Sequence, residues 1–297
     1  MRDPSLRVST LRRHLVSGNP SRSQPSDKIA FGYKTESIVW ASGAGSNFRS
    51  PKTNQDAVAI ASDTDGLRES CSLCDGHGDY GEYVSKLVSE ALVDEVPSVA
   101  EDERQLSDQV QQSVIDRMGS ASLYSGCTGV WVRKLKDSIR ICNVGDSRCI
   151  VVDSNWRILF QTRDHKPDDP VERKRIESFG GFVTKRPGSV PRVAGLALSR
   201  AFGDFAASSS GVCAVPEVTE INELHDIRYV FIASDGVFDV LSSEQVVAFL
   251  RDGLDERNAA PDVILRSLVE TCRHLWSDDT DGEYCDDITC VLWSLSG

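Results

Sequence analysis

Apolar residues fall into short runs along this chain, and their period changes several times. Residues 37–41 and 57–61 are apolar runs of strand length, and 71–74 is a third, ending at a polar Gly-rich turn. Across residues 83–96 the period lengthens. Val84, Leu87, Val88, Ala91 and Leu92 follow the spacing of one helix face. Val110, Val114 and Met118 predict a second amphipathic helix over 106–118. From 128 to 161 the alternation is strand-like again. Two hairpins are predicted there, one turning at Lys136-Asp137 and one at Asp153-Ser154-Asn155, which together read as an antiparallel meander. A charged short helix over 171–179 and a basic, Gly188-containing surface loop over 183–194 follow. Residues 229–233 form a buried strand, 243–250 and 261–276 helices, and 288–294 a closing strand. Strands in runs with helices in pairs predict an α+β fold rather than alternating βαβ units. No internal repeat is visible.

Composition narrows the class. With 297 residues, 40% of them hydrophobic, the chain can bury a large core, and no apolar run approaches the roughly 18 residues of a membrane span. The net charge is −12. Residues 1–28, rich in Ser, Arg and Pro, carry a net +4 and leave −16 on the remainder. They read as a flexible basic tail, with a targeting segment or basic localisation patch as the alternative, ahead of a single catalytic domain over 29–297. An acidic body argues against nucleic acid as partner and suits a protein that concentrates cations. Nine cysteines, an odd number with no signal-like segment before them, argue for a reducing, intracellular compartment, cytoplasmic or nuclear. Cys71 and Cys74 are spaced C-x-x-C but lie in a predicted strand, where i and i+3 face opposite sides, so they read as buried thiols.

The chemistry lies in a set of aspartates, each in a turn at the polar end of a strand-like run: Asp56, Asp75, Asp235, Asp239, Asp286 and Asp287. A carboxylate at such a junction is both held and exposed, and several converging make an all-oxygen site for a hard divalent cation. Residues 76–81 also match G-x-G-x-x-G, after a strand and before a helix. A dinucleotide site would need a parallel βαβ unit, and Asp75 and Asp79 would repel a pyrophosphate, so that reading fails.

Ten segments then occur in order: N-Q-D-A at 54–57, D-G-H-G at 75–78, S-G-C-T-G at 125–129, N-V-G-D-S-R at 143–148, D-H-K-P at 164–167, G-G-F-V at 180–183, G-L-A-L-S-R-A-F-G-D at 195–204, P-E-V at 216–218, A-S-D-G-V-F-D-V at 233–240 and D-D-I-T at 286–289. In this the chain resembles the type 2C metal-dependent serine/threonine protein phosphatases, from about Trp40 to its C-terminus. The resemblance implies a sandwich of two antiparallel β-sheets with helix pairs on both outer faces, four layers in all. It implies hydrolysis of phosphoserine and phosphothreonine in proteins with two Mn²⁺ or Mg²⁺ ions. Two cations about 3.5–4 Å apart can bridge a water, lower its pKa and offset phosphoryl charge. Asp56, Asp75, Asp235 and Asp286 match the metal ligands, with the Gly76 carbonyl as a fifth and Asp75 as the bridge. Gly76 and Gly236 would let the backbone approach the metals. Asp146 and Asp239 match positions holding a weaker third cation, with hydrogen bonding of their turns as the alternative. His77 matches a general acid that protonates the leaving alkoxide.

Asp164 and His165 read as structural, and His14, His225 and His274 need no role. Gln55 stands where many members carry Glu, which removes a charge beside Asp56 but leaves the ligand. Where some members place a phosphate-gripping Arg, five residues before the first metal Asp, this chain has Pro51. Arg49, ahead of Lys52, becomes the candidate phosphate-binding residue. Cys127 and Gly129 read as core-packing changes. The alternative to an active enzyme is a pseudophosphatase that binds or scaffolds a partner. Retention of all four carboxylates and His77 argues for activity on phosphoprotein substrates, in a chain expected to be monomeric.

Overall fold

The computed structural model describes residues 29–35, 37–48, 50–62, 69–94, 102–222 and 224–295. The predicted tail over 1–28 lies outside the described residues, as does Arg49. Two antiparallel sheets make the centre. One has six strands in the order Ala30–Thr35, Ile38–Gly43, Ile288–Ser294, Ile227–Ala233, Arg148–Asp153 and Ile158–Gln161. The other has five, in the order Glu217–Asn222, Ser138–Val144, Gly129–Lys134, Glu69–Cys74 and Ala57–Ser62. Among the described residues the α-helices are α1 (Gly81–Asp94), α2 (Asp102–Met118), α3 (Pro170–Ser178), the single turn α4 (Asp235–Phe238), α5 (Ser243–Arg251) and α6 (Pro261–Asp279).

Side-chain alternation explains why the strands read as continuous apolar runs, since both faces of each sheet are covered. Ile38, Trp40, Cys71, Leu73, Val130, Val132, Ile232 and Trp293 face the gap between the sheets and form one core. Their neighbours in sequence face outward. Val39, Ala41 and Leu292 pack beneath Val246, Leu265 and Leu268 of α5 and α6. On the other side Cys74, Trp131 and Cys142 lie under Val84, Val88 and Leu92 of α1 and Val110 and Val114 of α2. The result is the four-layer sandwich expected. Each fully buried Val, Leu or Ile contributes about 1.5–3 kcal/mol relative to exposure. The C-x-x-C pair behaves as its strand spacing predicts, with Cys71 between the sheets and Cys74 under the helices. Eight of the nine cysteines are buried and Cys213 is half-buried; all nine are free.

The predicted meander over 128–161 is corrected. Its first hairpin, Gly129–Lys134 with Ser138–Val144, belongs to the five-stranded sheet, and its second, Arg148–Asp153 with Ile158–Gln161, to the six-stranded sheet. The chain crosses between sheets at residues 145–147, where Gly145 has φ of 106° and Asp146 is buried. α2 also begins four residues before the predicted start at 106, because Glu103 is itself buried and accepts hydrogen bonds from Trp131 Nε1 (2.7 Å) and Arg133 Nε (2.9 Å). A buried charge within an amphipathic face is invisible to apolar periodicity. The loop over 183–194 contains a short hairpin, Val183–Thr184 with Arg192–Val193. Among the described residues no helix is long and apolar enough to cross a membrane.

Candidate active site

Antiparallel pairing gathers the aspartates. Ala57 opposes Cys74, so Asp56, just before one strand, and Asp75, just after the other, emerge at the same end of the five-stranded sheet. Ala233 opposes Cys290 in the six-stranded sheet, so Asp235 and Asp286 likewise share an end. Ser234 joins the two pairs across the sandwich, its Oγ donating to Asp56 Oδ2 at 3.0 Å. Asp146, on the crossover between sheets, enters from the side, beside Arg148, which opposes Ala233.

Each turn is held by its neighbours. Asp56 N–H donates to Asn54 Oδ1 at 3.0 Å, and Asn54 Nδ2 donates to Ser42 Oγ at 2.8 Å. Asp75 N–H donates to Thr128 Oγ1 at 3.0 Å, and Thr128 N–H returns a bond to the Asp75 carbonyl at 2.8 Å. Asp287 is a clamp. Its carboxylate accepts the N–H groups of Gly45 (2.7 Å) and Gln55 (3.0 Å), tying the segment before Asp56 to the one holding Asp286. Gln55 does more than dilute charge, since its Nε2 donates to the Gly78 carbonyl at 2.8 Å and pins the DGHG turn. At Gly76 a Cβ would lie 2.4 Å from the Gly81 carbonyl oxygen, and at Gly236 2.0 Å from that of Asp287. The close approach that demands glycine at both positions is thus backbone against backbone.

His77 has a partner that the sequence reading missed. Its Nε2 lies 2.6 Å from Oδ2 of Asp204, which is buried and has φ of 50°. A Cβ at Gly126 would sit 2.3 Å from that same oxygen, so the glycine of the S-G-C-T-G segment makes room for Asp204. The signal available was the final Asp of residues 195–204, after Gly203, but nothing local connects it to His77. Lys166 was also missed; its Nζ lies 2.5 Å from Asp146 Oδ2. Lys52 Nζ lies 2.6 Å from Asp286 Oδ1 and 3.6 Å from Asp287 Oδ2, over the Tyr284 ring. His165 is structural, as expected, fully buried with Nδ1 accepting the Gly145 N–H at 3.0 Å. Asp164 does not merely brace its own turn: it makes a two-point bond to Arg148 at 2.9 and 2.7 Å. Cys127 is buried in the core under α1, and a Cβ at Gly129 would press on Phe202 at 2.9 Å, which accounts for both small residues as packing.

Crowded acids in a low-dielectric pocket resist ionisation. Burial, then the charge of Asp287, pushes Asp56 up to about 7. Burial and neighbouring carboxylates likewise raise Asp75, acted on by Asp56 and Asp235, and Asp235, acted on by Asp146 and Asp286. Burial opposes the charge of Lys52 and of Lys166, yet Asp286 and Asp146 respectively outweigh it and hold both ammoniums above the usual lysine value. Oδ1 of Asp56 and Oδ1 of Asp235 are buried with no hydrogen-bond partner. Unpartnered buried carboxylate oxygens are costly unless a cation takes them, so this donor set fits hard divalent ions. His165, Glu172 and Glu217 also converge, with potential ligand atoms within 4.8 Å of one another. There the charge is already met: Glu172 pairs with Arg175 (2.6 Å) and Arg200 (2.5 Å), and Glu217 with Arg163.

A pH prediction follows from the raised acids. A carboxyl whose folded value lies above its unfolded value stabilises the fold fully below the unfolded value, and that contribution is lost as pH rises through the folded one. For Asp56, moving from 3.8 to about 7, the loss is on the order of 4 kcal/mol. Chelated protein should therefore show a falling melting temperature between pH 5 and 8, and Mn²⁺ should raise that temperature more at pH 8 than at pH 5.5. Differential scanning fluorimetry with and without EDTA measures both; a flat chelated profile would contradict the crowding of these acids.

The family profile of protein phosphatase 2C matches residues 52–280, a span that holds Asp56, Asp75, Asp146, Asp235, Asp239, His77 and Asp204 and stops short of Asp286 and Asp287. The chain belongs to the protein phosphatase 2C family. Among relatives of this phosphatase 2C chain, a probable protein phosphatase 2C 72 of Arabidopsis thaliana is 31% identical, over 76% of each chain. A probable protein phosphatase 2C 64 of Oryza sativa subsp. japonica is also 31% identical, over 82% of this chain, which spans 63% of that relative's length. A phosphatase from a pathogenic strain of Toxoplasma gondii superposes with a TM-score of 0.72 at 20% identity, covering 91% of this chain and 96% of the other, a likeness of fold. Members of the family are metal-dependent protein phosphatases, and this chain is a protein-serine/threonine phosphatase by that membership.

Proposed function

We propose that this phosphatase hydrolyses phosphoserine and phosphothreonine in proteins, using two Mn²⁺ or Mg²⁺ ions held by Asp56, Asp75, the Gly76 carbonyl, Asp235 and Asp286. The observation that carries the reading is the pair of buried, unpartnered oxygens on Asp56 and Asp235, among carboxylates that burial and mutual repulsion have raised. When bound, such ions acidify water into a nucleophile and offset charge on the phosphoryl oxygens.

The chain's own residues do the rest. His77 stands beside Asp75 at the mouth of the cluster, with about a quarter of its side chain exposed. The buried Asp204 carboxylate fixes its ring through Nε2, which leaves Nδ1 to serve the leaving Ser or Thr oxygen as the general acid. Lys52 is the described cation nearest Asp286 and is the candidate to steer phosphate, sharing that role with Arg49. Asp287, Gln55 and Thr128 hold the ligand turns so that little reorganisation is required when ions and substrate bind.

Phosphate release from a phosphothreonine peptide, followed with malachite green, tests the reading. Release should require Mn²⁺ or Mg²⁺, fall to background in EDTA, and return with excess metal. Undiminished hydrolysis in EDTA overturns it.

A further inference from the structure

We infer that the groove along the open edge of the five-stranded sheet docks an extended acidic segment of a phosphoprotein substrate, a few residues away from the phosphorylated side chain. The inference rests on the reading of this chain as a phosphatase of phosphoproteins, and adds where such a substrate is gripped.

A cavity of about 520 Å³ lies between the first turn of α2, the end of α3 and residues 213–219. Three arginines line it, Arg104, Arg175 and Arg200, against one carboxylate, Glu217. That balance is the reverse of a chain whose net charge is −12. Behind the wall, Glu172 is fully buried and serves two guanidiniums at once, Arg175 at 2.6 Å and Arg200 at 2.5 Å. Glu217 is likewise shared, between Arg163 and Arg200. The internal acids therefore leave positive charge in surplus at the groove. Arg104 is exposed and makes no ion pair among the described residues. In the first turn of α2 it also opposes the helix dipole, so it does nothing for the helix that carries it. Nε of Arg175 is buried without a hydrogen-bond partner.

Between the arginines the wall is apolar, with Phe179 64% and Val215 42% exposed. The floor is a sheet edge. Glu217–Asn222 pairs with Ser138–Val144 and, among the described residues, with no other strand. Such an edge adds an extended chain through main-chain hydrogen bonds, while alternate side chains of that chain meet the walls. A small anion would use the arginines and leave Phe179, Val215 and the edge unused; an acidic peptide with apolar residues between its carboxylates uses all three. The position suits a substrate. Glu217 opposes Asn143, three residues before Asp146, so the groove opens at the same end of the sheet as the aspartates. Glu217–Asn222 lies three strands from Glu69–Cys74, which leads into Asp75. At about 4.8 Å between strands that is on the order of 14 Å, a span that about five extended residues cover at about 3.3 Å each.

Fluorescence anisotropy of a fluorescein-labelled (Asp-Val)₅ peptide with the full chain tests the docking without reference to turnover. Wild type should bind it at least about tenfold more tightly than a (Lys-Val)₅ peptide, the weight of one charge-assisted hydrogen bond. Arg104→Glu should weaken binding by at least about the same factor, while turnover of 4-nitrophenyl phosphate stays at the wild-type rate and reports an intact fold. Val215→Asp, also at an exposed position, should do the same. Cys213 lines the groove and is the one cysteine that is not buried, so bound peptide should also slow its alkylation by iodoacetamide. An acidic tail placed about five residues from the phosphothreonine of a substrate peptide should lower KM and leave kcat unchanged, and Arg104→Glu should erase that gain. The inference falls if Arg104→Glu binds the acidic peptide as wild type does, or if the basic peptide binds equally well. It falls also if equimolar inorganic phosphate displaces the peptide, which would make the groove a small-anion site, or if wild type is a dimer that Arg104→Glu dissociates, which would give the groove to a second copy. Metal-dependent hydrolysis of a phosphothreonine peptide without acidic-peptide binding refutes the docking alone; acidic-peptide binding without any such hydrolysis refutes the substrate reading instead.

Discussion

Asp75→Asn should lower kcat/KM on a phosphothreonine peptide by more than about 100-fold, since even residues that only orient metal ligands cost about 10–100-fold when removed. The substitution keeps size and shape but deletes one charge from a pocket where burial, then Asp56 and Asp235, already disfavour it. The same removal relieves repulsion in the metal-free protein. The variant should therefore melt at or above the wild-type temperature in EDTA, while losing most of the stabilisation that Mn²⁺ gives wild type. Loss of activity together with a firm fold and a weakened metal response separates a ligand from a merely structural acid. Asp235→Asn should behave in the same way. Wild-type turnover in either variant would sink the metal assignment.

His77→Ala should act through the leaving group. General acid catalysis contributes about 10²–10⁴-fold, and that contribution matters most when the departing oxygen is a poor leaving group. On phosphothreonine peptide the variant should lose the whole of this factor. On 4-nitrophenyl phosphate, whose phenolate leaves without help, it should lose much less. Asp204→Asn should follow the same pattern with a smaller loss, because it weakens the 2.6 Å bond that orients the ring without removing the ring itself. Equal losses on both substrates in His77→Ala would show that the imidazole acts in binding rather than in proton transfer.

Much of the fold was legible from local pattern. The strands over 57–61, 71–74 and 229–233 and the helices over 83–96, 243–250 and 261–276 declare themselves because each turns one or both faces to a core, and burial imposes a period that survives in the residue order. Misreadings arose where burial was polar or pairing was distant. The start of α2 was placed late because Glu103 is a buried charge paired with Trp131 and Arg133. The hairpins over 128–161 were joined into one meander because sheet membership depends on partners such as Glu217–Asn222 and Ile227–Ala233, far along the chain.

The candidate site divides in the same way. The residue order alone marked the aspartates at strand ends, the glycines at 76 and 236, and His77, because a carboxylate or glycine at a strand-to-turn junction is a local feature. Tertiary structure decided what each of them meets. Asp204 reaches His77 across 127 positions, and Lys52 reaches Asp286 across 234. Asp287 binds the turns before Asp56 through Gly45 and Gln55. Lys166 settles on Asp146 only because the chain crosses between sheets at Gly145. Contacts of this kind leave no period or spacing in the sequence, since two groups brought together by packing of separate sheets need share nothing but complementary charge.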